Sequence, residues 1–410
     1  MNVAIIGGGA AGFFAALTLK ELDSDINVTI FEKSNKLLSK VAVSGGGRCN
    51  VTNSFYNVTD LSKIYPRGDK LLKKAFKVFN HTHTCEWFET REVPLITQDD
   101  DCIFPRSQNS QSIIDCFLEL VTRYGVVIKR SHGVRSLAMQ SDKIEVQFID
   151  DKNRSTCFDK VIVTTGGSPR REGLSYLEQL GHDIEEPVPS LFTFNIPDSA
   201  LRELMGTVVE NTTVSLQGTK LKASGALLVT HWGMSGPVIL KLSSYAARFL
   251  HEADYRATIL VNWVNEVNNE KVTSYLDSLV YQYPHRQVSG IRPYDLPSRL
   301  WLMLLERAGI PENRRWNELG KKGINKLMNT LCNDSYQVQG KSAFRDEFVT
   351  CGGISLKSVN PSTMESRACP NLYFAGEVLD IDAVTGGFNF QAAWTTAYVA
   401  ARSIASSRKT

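Results

Sequence analysis

Residues 3–32 constrain this chain more than any other stretch. Val3-Ala4-Ile5-Ile6 reads as a short apolar strand and Gly7-Gly8-Gly9-Ala10-Ala11-Gly12 as a G-x-G-x-x-G turn. An apolar helix runs from Phe13 to about Leu22, and a second strand, Val28-Thr29-Ile30-Phe31, ends on Glu32. Each part has a physical task in holding a dinucleotide. Gly7 lets the strand turn sharply, Gly9 lets backbone approach a pyrophosphate, and Gly12 lets the helix pack close to the sheet. The helix start, with Ala10 and Ala11, offers unpaired N–H groups and the positive end of the helix dipole. Glu32 can accept hydrogen bonds from a ribose 2′-OH, which favours FAD or NAD over NADP.

The 410 residues predict two or three domains. With 42% hydrophobic and 22% charged residues the composition is that of a globular protein, and a net charge of +3 argues neither for nor against a nucleic-acid partner. No apolar run approaches the ~20 residues of a membrane span. Met1 leads straight into the first strand without a secretory h-region, so no membrane partner and a cytoplasmic location are expected. The eight cysteines form no C-x-x-C pair and are expected reduced and mostly buried. His81-x-His83-x-Cys85 is the one metal-like cluster, with ligands alternating as on a strand. No second ligand pair follows at a zinc spacing, so no metal is expected.

Strands and helices alternate to about residue 190. Leu71–Phe79 and Ser110–Tyr124 have amphipathic helical spacing, and Val134–Leu137 with Ile144–Ile149 reads as a meander. From 191 to 345 the character changes. Phe192–Ile196, Thr207–Leu216 and Ala226–Thr230 read as strands, then Glu270–Tyr283, Pro297–Ala308 and Trp316–Leu331 as helices. Residues 346–410 return to glycine-rich α/β pattern, so the middle reads as an inserted domain.

Three further motifs carry chemistry. Val43-Ser44-Gly45-Gly46-Gly47-Arg48-Cys49-Asn50-Val51-Thr52-Asn53 frees backbone N–H groups to face an anion or a flat ring, beside a fixed cation and an amide. The buried strand Val161–Thr164 runs into Thr165-Gly166-Gly167, which fits a second chain crossing over a flavin. The strand Leu372–Ala375 delivers Gly376-Glu377 and then Asp380. Glu377 is suited to a ribityl hydroxyl, and Gly386-Gly387 open a helix carrying Asn389 whose N-terminus can face the flavin N1 and C2 carbonyl.

This layout is that of FAD enzymes of the glutathione-reductase-like superfamily. More narrowly the chain resembles the HI0933-like flavoprotein family, also called YhiN or BaiN/RdsA. The resemblance rests on residues 43–53, on Thr230-His231-Trp232-Gly233-Met234-Ser235-Gly236-Pro237, on Thr350-Cys351-Gly352-Gly353-Ile354, and on Leu372 to Gln391. It implies an α/β architecture: a Rossmann-like FAD-binding domain, with a central parallel sheet plus β-meander, from residues 1–190 and 346–410. It implies an inserted β-barrel-like domain from 191–265 and 332–345, and a helical subdomain from 266–331. Where the family usually follows Thr-Gly-Gly with Ser-Tyr-Pro, this chain has Ser168-Pro169-Arg170-Arg171.

The expected FAD-binding set joins Gly7, Gly9, Ala10, Ala11, Gly12, Glu32 and Lys33 to Lys40, Ser44, Gly45, Gly46, Arg48 and Asn50. It adds Val134, Thr165 and Gly166, then Gly376, Glu377, Asp380, Gly386, Gly387 and Asn389. The catalytic candidates are Cys49, as acid or turn residue, and His231, in a turn expected to face the flavin. No second strand–glycine–helix unit is present, so NAD(P)H is expected to bind transiently over the ring. The resemblance implies an FAD-dependent reductase of a C=C bond, acting on a uridine of ribosomal RNA or an enone small molecule. An amine oxidase, and an RNA-modifying transferase with Cys49 as nucleophile, are the alternatives. Lys70, Lys73, Lys74 and Lys77 fall on the polar side of one predicted helix, with Arg67 before it and Arg106, Arg170 and Arg171 as additions, as an RNA-binding or simply solvated face.

Overall fold

A computed structural model describes residues 1–149, 155–341 and 349–408. It forms two compact units: Met1–Val188 with Val349–Thr410, and Pro189–Phe348. The seam expected at 345/346 lies outside the described residues, as does the end of the tail at 409–410.

The first unit is built on five parallel strands, β1 (Asn2–Ile6), β2 (Asn27–Phe31), β3 (Val127–Lys129), β4 (Lys160–Val163) and β5 (Leu372–Phe374). Their order is β5-β4-β1-β2-β3, with Ala4 beside Val161 and Thr29, and Val161 beside Leu372. Val3–Ile6 and Val161–Val163 are buried throughout, which explains their unbroken apolar runs. Helix α1 (Ala10–Leu22) is buried from Ala11 to Leu19, and its polar residues lie at its end. A short helix, α2 (Asp69–Ala75), and a long one, α3 (Phe388–Ser407), complete the labelled elements. Phe14 of α1 packs on Trp394 of α3 with ring centroids 5.3 Å apart, and on Trp87 at 4.9 Å. Both chain ends therefore share one core.

Two small antiparallel sheets flank this layer. One pairs Thr52–Asn53 and Leu95–Thr97 with Cys102–Pro105; the other is the meander Val134–Gln140, Lys143–Phe148, Ser155–Phe158. Some local expectations are corrected. The helix expected over Leu71–Phe79 stops at Ala75, after which single turns continue to Phe79. His81, His83 and Cys85 lie on the helix His81–Glu89, where positions i, i+2 and i+4 do not share a face. There His83 completes a capping box with Asn80. Among the described residues no group of three metal-ligating side chains is assembled.

In the second unit six antiparallel strands follow the order Phe194–Asn195, Gly233–Ser235, Lys222–Val229, Val208–Leu216, Arg256–Asn262, Asp334–Gln339. The two edges nearly meet. Phe194 bridges to Lys341, and the Asn195 N–H donates to the Gly340 carbonyl at 3.0 Å, bending the sheet into a nearly closed barrel. The helices Asn269–Gln282, Ser298–Arg307 and Gly320–Asn333 bury Val272, Trp301 and Ile324 in the same core as Val214 and Val261 of the sheet.

Candidate functional site

Parallel strands end on one edge, so everything that follows β1, β2, β4 and β5 is gathered there. From β1 the chain moves to β2 on one side, while β4 lies on the other. The crevice between β1 and β4 is thus the switch point of the sheet, where ligands of such folds bind. The loop Gly7–Gly12 follows β1, Glu32 follows β2, Thr165–Gly167 follow β4, and Gly376-Glu377 follow β5.

Sterics divide the glycines of the first loop. Gly7 has φ +120°, and a Cβ there would strike the Thr164 carbonyl. A Cβ on Gly12 would strike the Gly7 carbonyl and come within 2.8 Å of Thr164 Oγ1. Gly9 has nothing within 4 Å of the Cβ position. It is also the N-cap of α1 and supplies no side-chain cap, so the N–H groups of Ala10, Ala11 and Gly12 stay without intrahelical acceptors. Open space, unmet donors and the positive helix end coincide, which fits a diphosphate. Glu32 accepts from the Gly8 N–H through Oε2 and from the Ser34 N–H through Oε1, both at 2.8 Å. Its carboxylate is thereby fixed at the end of β2 with lone pairs remaining for a ribose. Lys33 is exposed beside it, and Val134 is half-buried at the start of the meander.

Glu377 lies at the centre of the edge. Its Oε1 accepts from the Thr350 N–H at 2.9 Å, its Oε2 pairs with Lys40 Nζ at 2.6 Å, and a Cβ on Gly167 would sit 2.9 Å from Oε1. The Gly376 N–H donates to Thr396 of α3, and a Cβ on Gly376 would meet the Ala11 methyl at 2.9 Å. Glu377 thus ties the β4 loop to Thr350 and Lys40, while Gly376 packs on the start of α1 and the middle of α3. Thr165 is exposed above them, Gly166 carries φ +76°, and Asp380 accepts from the Gly352 N–H at 3.0 Å.

The second glycine cluster adjoins the start of α3. Ser44, whose hydroxyl donates to the Val41 carbonyl, ends a helical stretch; Gly45, Gly46 and Gly47 all have positive φ, and the last two face open space. Arg48 stacks over Phe104 at 4.2 Å and donates to the Gly45 carbonyl. With its amide oriented to satisfy its neighbours, Asn50 donates to the carbonyls of Thr52 and Ile103 and accepts from the Gly387 N–H at 3.0 Å. Asn389 commits both ends of its amide to Ala383. Gly386 has φ +124°, and a Cβ on Gly387 would strike the Thr52 carbonyl. Asn50 and Asn389 therefore shape the loop before α3, whose N-terminus carries no side-chain cap.

Cys49 lies inside the turn that follows Gly45, Gly46 and Gly47. It has no exposed surface and adopts φ +63°, and burial pushes its thiol up from 9.0 to about 12. A thiol so placed is neither a nucleophile nor a ready acid near neutrality. Cys49 closes the turn.

Residues 1–403 match the family described as HI0933-like protein Rossmann domain. The chain belongs to this family. It is an FAD-dependent oxidoreductase. It is 27% identical over 417 residues to the 3-dehydro-bile acid delta(4,6)-reductase of Clostridium scindens, covering 98% of this chain and 99% of that one. It is 28% identical to the ribosomal RNA dihydrouridine synthases of Haemophilus influenzae and Escherichia coli, covering 98% of this chain and 97% of each. Among solved structures, the 3-ketosteroid delta1-dehydrogenase of Sterolibacterium denitrificans shares the fold, with TM-score 0.53, 12% identity and 99% of both chains covered.

In this HI0933-like flavoprotein, His231 belongs to the second unit. It is exposed, lies tilted against Trp232 with ring centroids 4.6 Å apart, and sits in a turn tied by Thr230, whose hydroxyl accepts from the N–H groups of Trp232 and Gly233. Gln391 escaped sequence reasoning as a site residue, and Arg67 counted there only toward the basic face before Lys70. Gln391, fully buried, accepts from Thr52 at 2.6 Å and Thr84 at 2.9 Å and donates to Thr395, locking α3 onto the second glycine cluster. Arg67 pairs with Asp382, which is fully buried. A buried polar run at the start of an apolar helix is the only signal the sequence offered for the first; for the second, nothing local links positions 315 residues apart.

Proposed function

We propose that this flavoprotein reduces a C=C bond of its substrate with electrons from a transiently bound NAD(P)H, as a cytoplasmic enzyme. The observation that carries the reading is the convergence of Gly7–Gly12, Glu32, Thr165–Gly167 and Gly376-Glu377 on one carboxyl edge. The bound FAD supplies hydride transfer to and from its ring. Glu32 and the N–H groups at the start of α1 hold the adenosine and phosphate end. Glu377, released from or shared with Lys40, orients the ribityl chain. The start of α3, which has no side-chain cap, would supply positive potential to the ring of bound FAD. His231 is the proposed proton donor to the carbon opposite the hydride. The printed activities of the relatives, reduction of a bile acid and formation of dihydrouridine, both fit this chemistry.

The test is anaerobic titration of the purified yellow protein. Bleaching by NADH or NADPH, followed by reoxidation on addition of an enone or unmodified ribosomal RNA, is the expected result. No bleaching by either nicotinamide, with rapid peroxide release from an amine in air, would replace it by the oxidase reading. His231→Gln should then slow reoxidation by substrate while leaving bleaching unchanged.

A further inference from the structure

The segment from Phe55 to Phe79 holds none of the expected FAD-binding residues, yet it is fastened to the loop that opens α3. Arg67 pairs with Asp382, the Val384 N–H donates to the Ile64 carbonyl, and the Tyr65 hydroxyl donates to the Phe388 carbonyl. Phe55 packs on Phe76 and Phe388 with centroids 5.6 and 5.2 Å away. On this base stands α2. Leu71, Leu72 and Ala75 are buried, while Lys70, Lys73, Lys74 and Lys77 are exposed at i, i+3, i+4 and i+7. Among the described residues these four make no hydrogen bond or ion pair. The nearby acids are Asp60, which caps the turn at Ser62 and is drawn down by that bond and by Lys63 and Lys73, and Asp69 in the first turn of α2. The lysines outnumber them. Next to Phe55, Tyr56 is 86% exposed.

We propose that this face docks the sugar-phosphate backbone of an RNA substrate, with Tyr56 as a stacking platform for an unpaired base. The proposal rests on the C=C reduction reading above and names its substrate class. A row of unpaired cations one helical face long follows successive phosphates, and an exposed ring accepts any base face. A compact apolar substrate would gain nothing from either. The anchoring to residues 381–388 sets this surface beside the start of α3, so an RNA held there presents a splayed base near the ring end of the cofactor site.

The experiment uses the full-length flavoprotein and unmodified ribosomal RNA transcribed in vitro. Binding is measured from 50 to 300 mM salt for wild type, for Lys70, Lys73, Lys74 and Lys77 all changed to Gln, and for Tyr56→Ala. Loss of four phosphate contacts should lower the slope of log K against log salt by about 3 and weaken binding at low salt at least about tenfold. Tyr56→Ala should weaken binding about tenfold with the slope unchanged. FAD content and bleaching by NAD(P)H should match wild type in both variants. Wild-type affinity and slope in the lysine variant overturn the proposal, as does binding of wild type to anionic lipid vesicles in preference to RNA. Neither result touches C=C reduction, which fails only if nicotinamide does not bleach the wild-type protein.

Discussion

In the β1–α1 loop, Gly7 and Gly12 stand where a Cβ would strike the Thr164 and Gly7 carbonyls, and only Gly9 faces open space. In the second cluster the pattern is reversed: Gly46 and Gly47 face open space and need glycine chiefly for φ values of +69° and +84°. One loop uses glycine to bring backbone against backbone. The other uses it to hold a left-handed path. Open glycines with ordinary φ, of which Gly9 is the example, have no protein neighbour to justify them and therefore report on the ligand.

Substitutions can break this contrast. Gly12→Ala and Gly387→Ala should each cost about 3 kcal/mol or more, because the new methyl meets backbone that has nowhere to move; thermal unfolding of the cofactor-free protein measures it. Gly9→Ala should leave that unfolding within about 1 kcal/mol of wild type and raise the Kd for FAD on the order of a hundredfold, roughly 3 kcal/mol. Equal losses of stability at Gly9 and Gly12 would abolish the distinction.

The second cluster also predicts a pH response through Cys49. Its thiol ionises near 9.0 in the unfolded chain and near 12 in the fold. Burial raises Cys85, Cys102, Cys116 and Cys332 to about 11 in the same way. The unfolded chain loses these protons first, so stability present below pH 9 falls as pH rises toward 11. Cys49 alone should account for about 2 kcal/mol at pH 10.5. Denaturant unfolding at pH 8 and 10.5 should show the drop, and Cys49→Ala should shrink it. A smaller effect on stability is expected at Gly46: Gly46→Ala costs about 1 kcal/mol for its backbone alone.

What the sequence made legible follows its local grammar. The run from Val3 to Glu32 names its strand, turn, helix and acid because each is written in adjacent residues, and Gly386-Gly387 before an apolar helix is equally local. Asn50 and Asn389 look like ligand contacts in sequence, since an amide beside glycines has that composition. Only their distant partners, Gly387, Ile103 and Ala383, show that they serve the backbone. The near closure of the second sheet was expected from the family resemblance alone; no local pattern announces it, because it depends on Phe194 reaching Lys341 across the whole inserted unit. His81-x-His83-x-Cys85 alternates as ligands on a strand would, but the Asn80 capping box starts a helix there.

The pairing of β4 with β5 spans 211 residues between Lys160 and Asn371. During synthesis at about 5–20 residues per second, the edge of β4 must wait roughly 10–40 s for its partner to leave the ribosome. Until then β4 has an open edge, α1 lacks α3, and no complete cradle for the flavin exists. The newborn N-terminal half is a natural client for a chaperone. Cofactor loading becomes a check on translation: a chain cut short anywhere before Phe374 stays colourless, so the yellow of the flavin marks only finished copies.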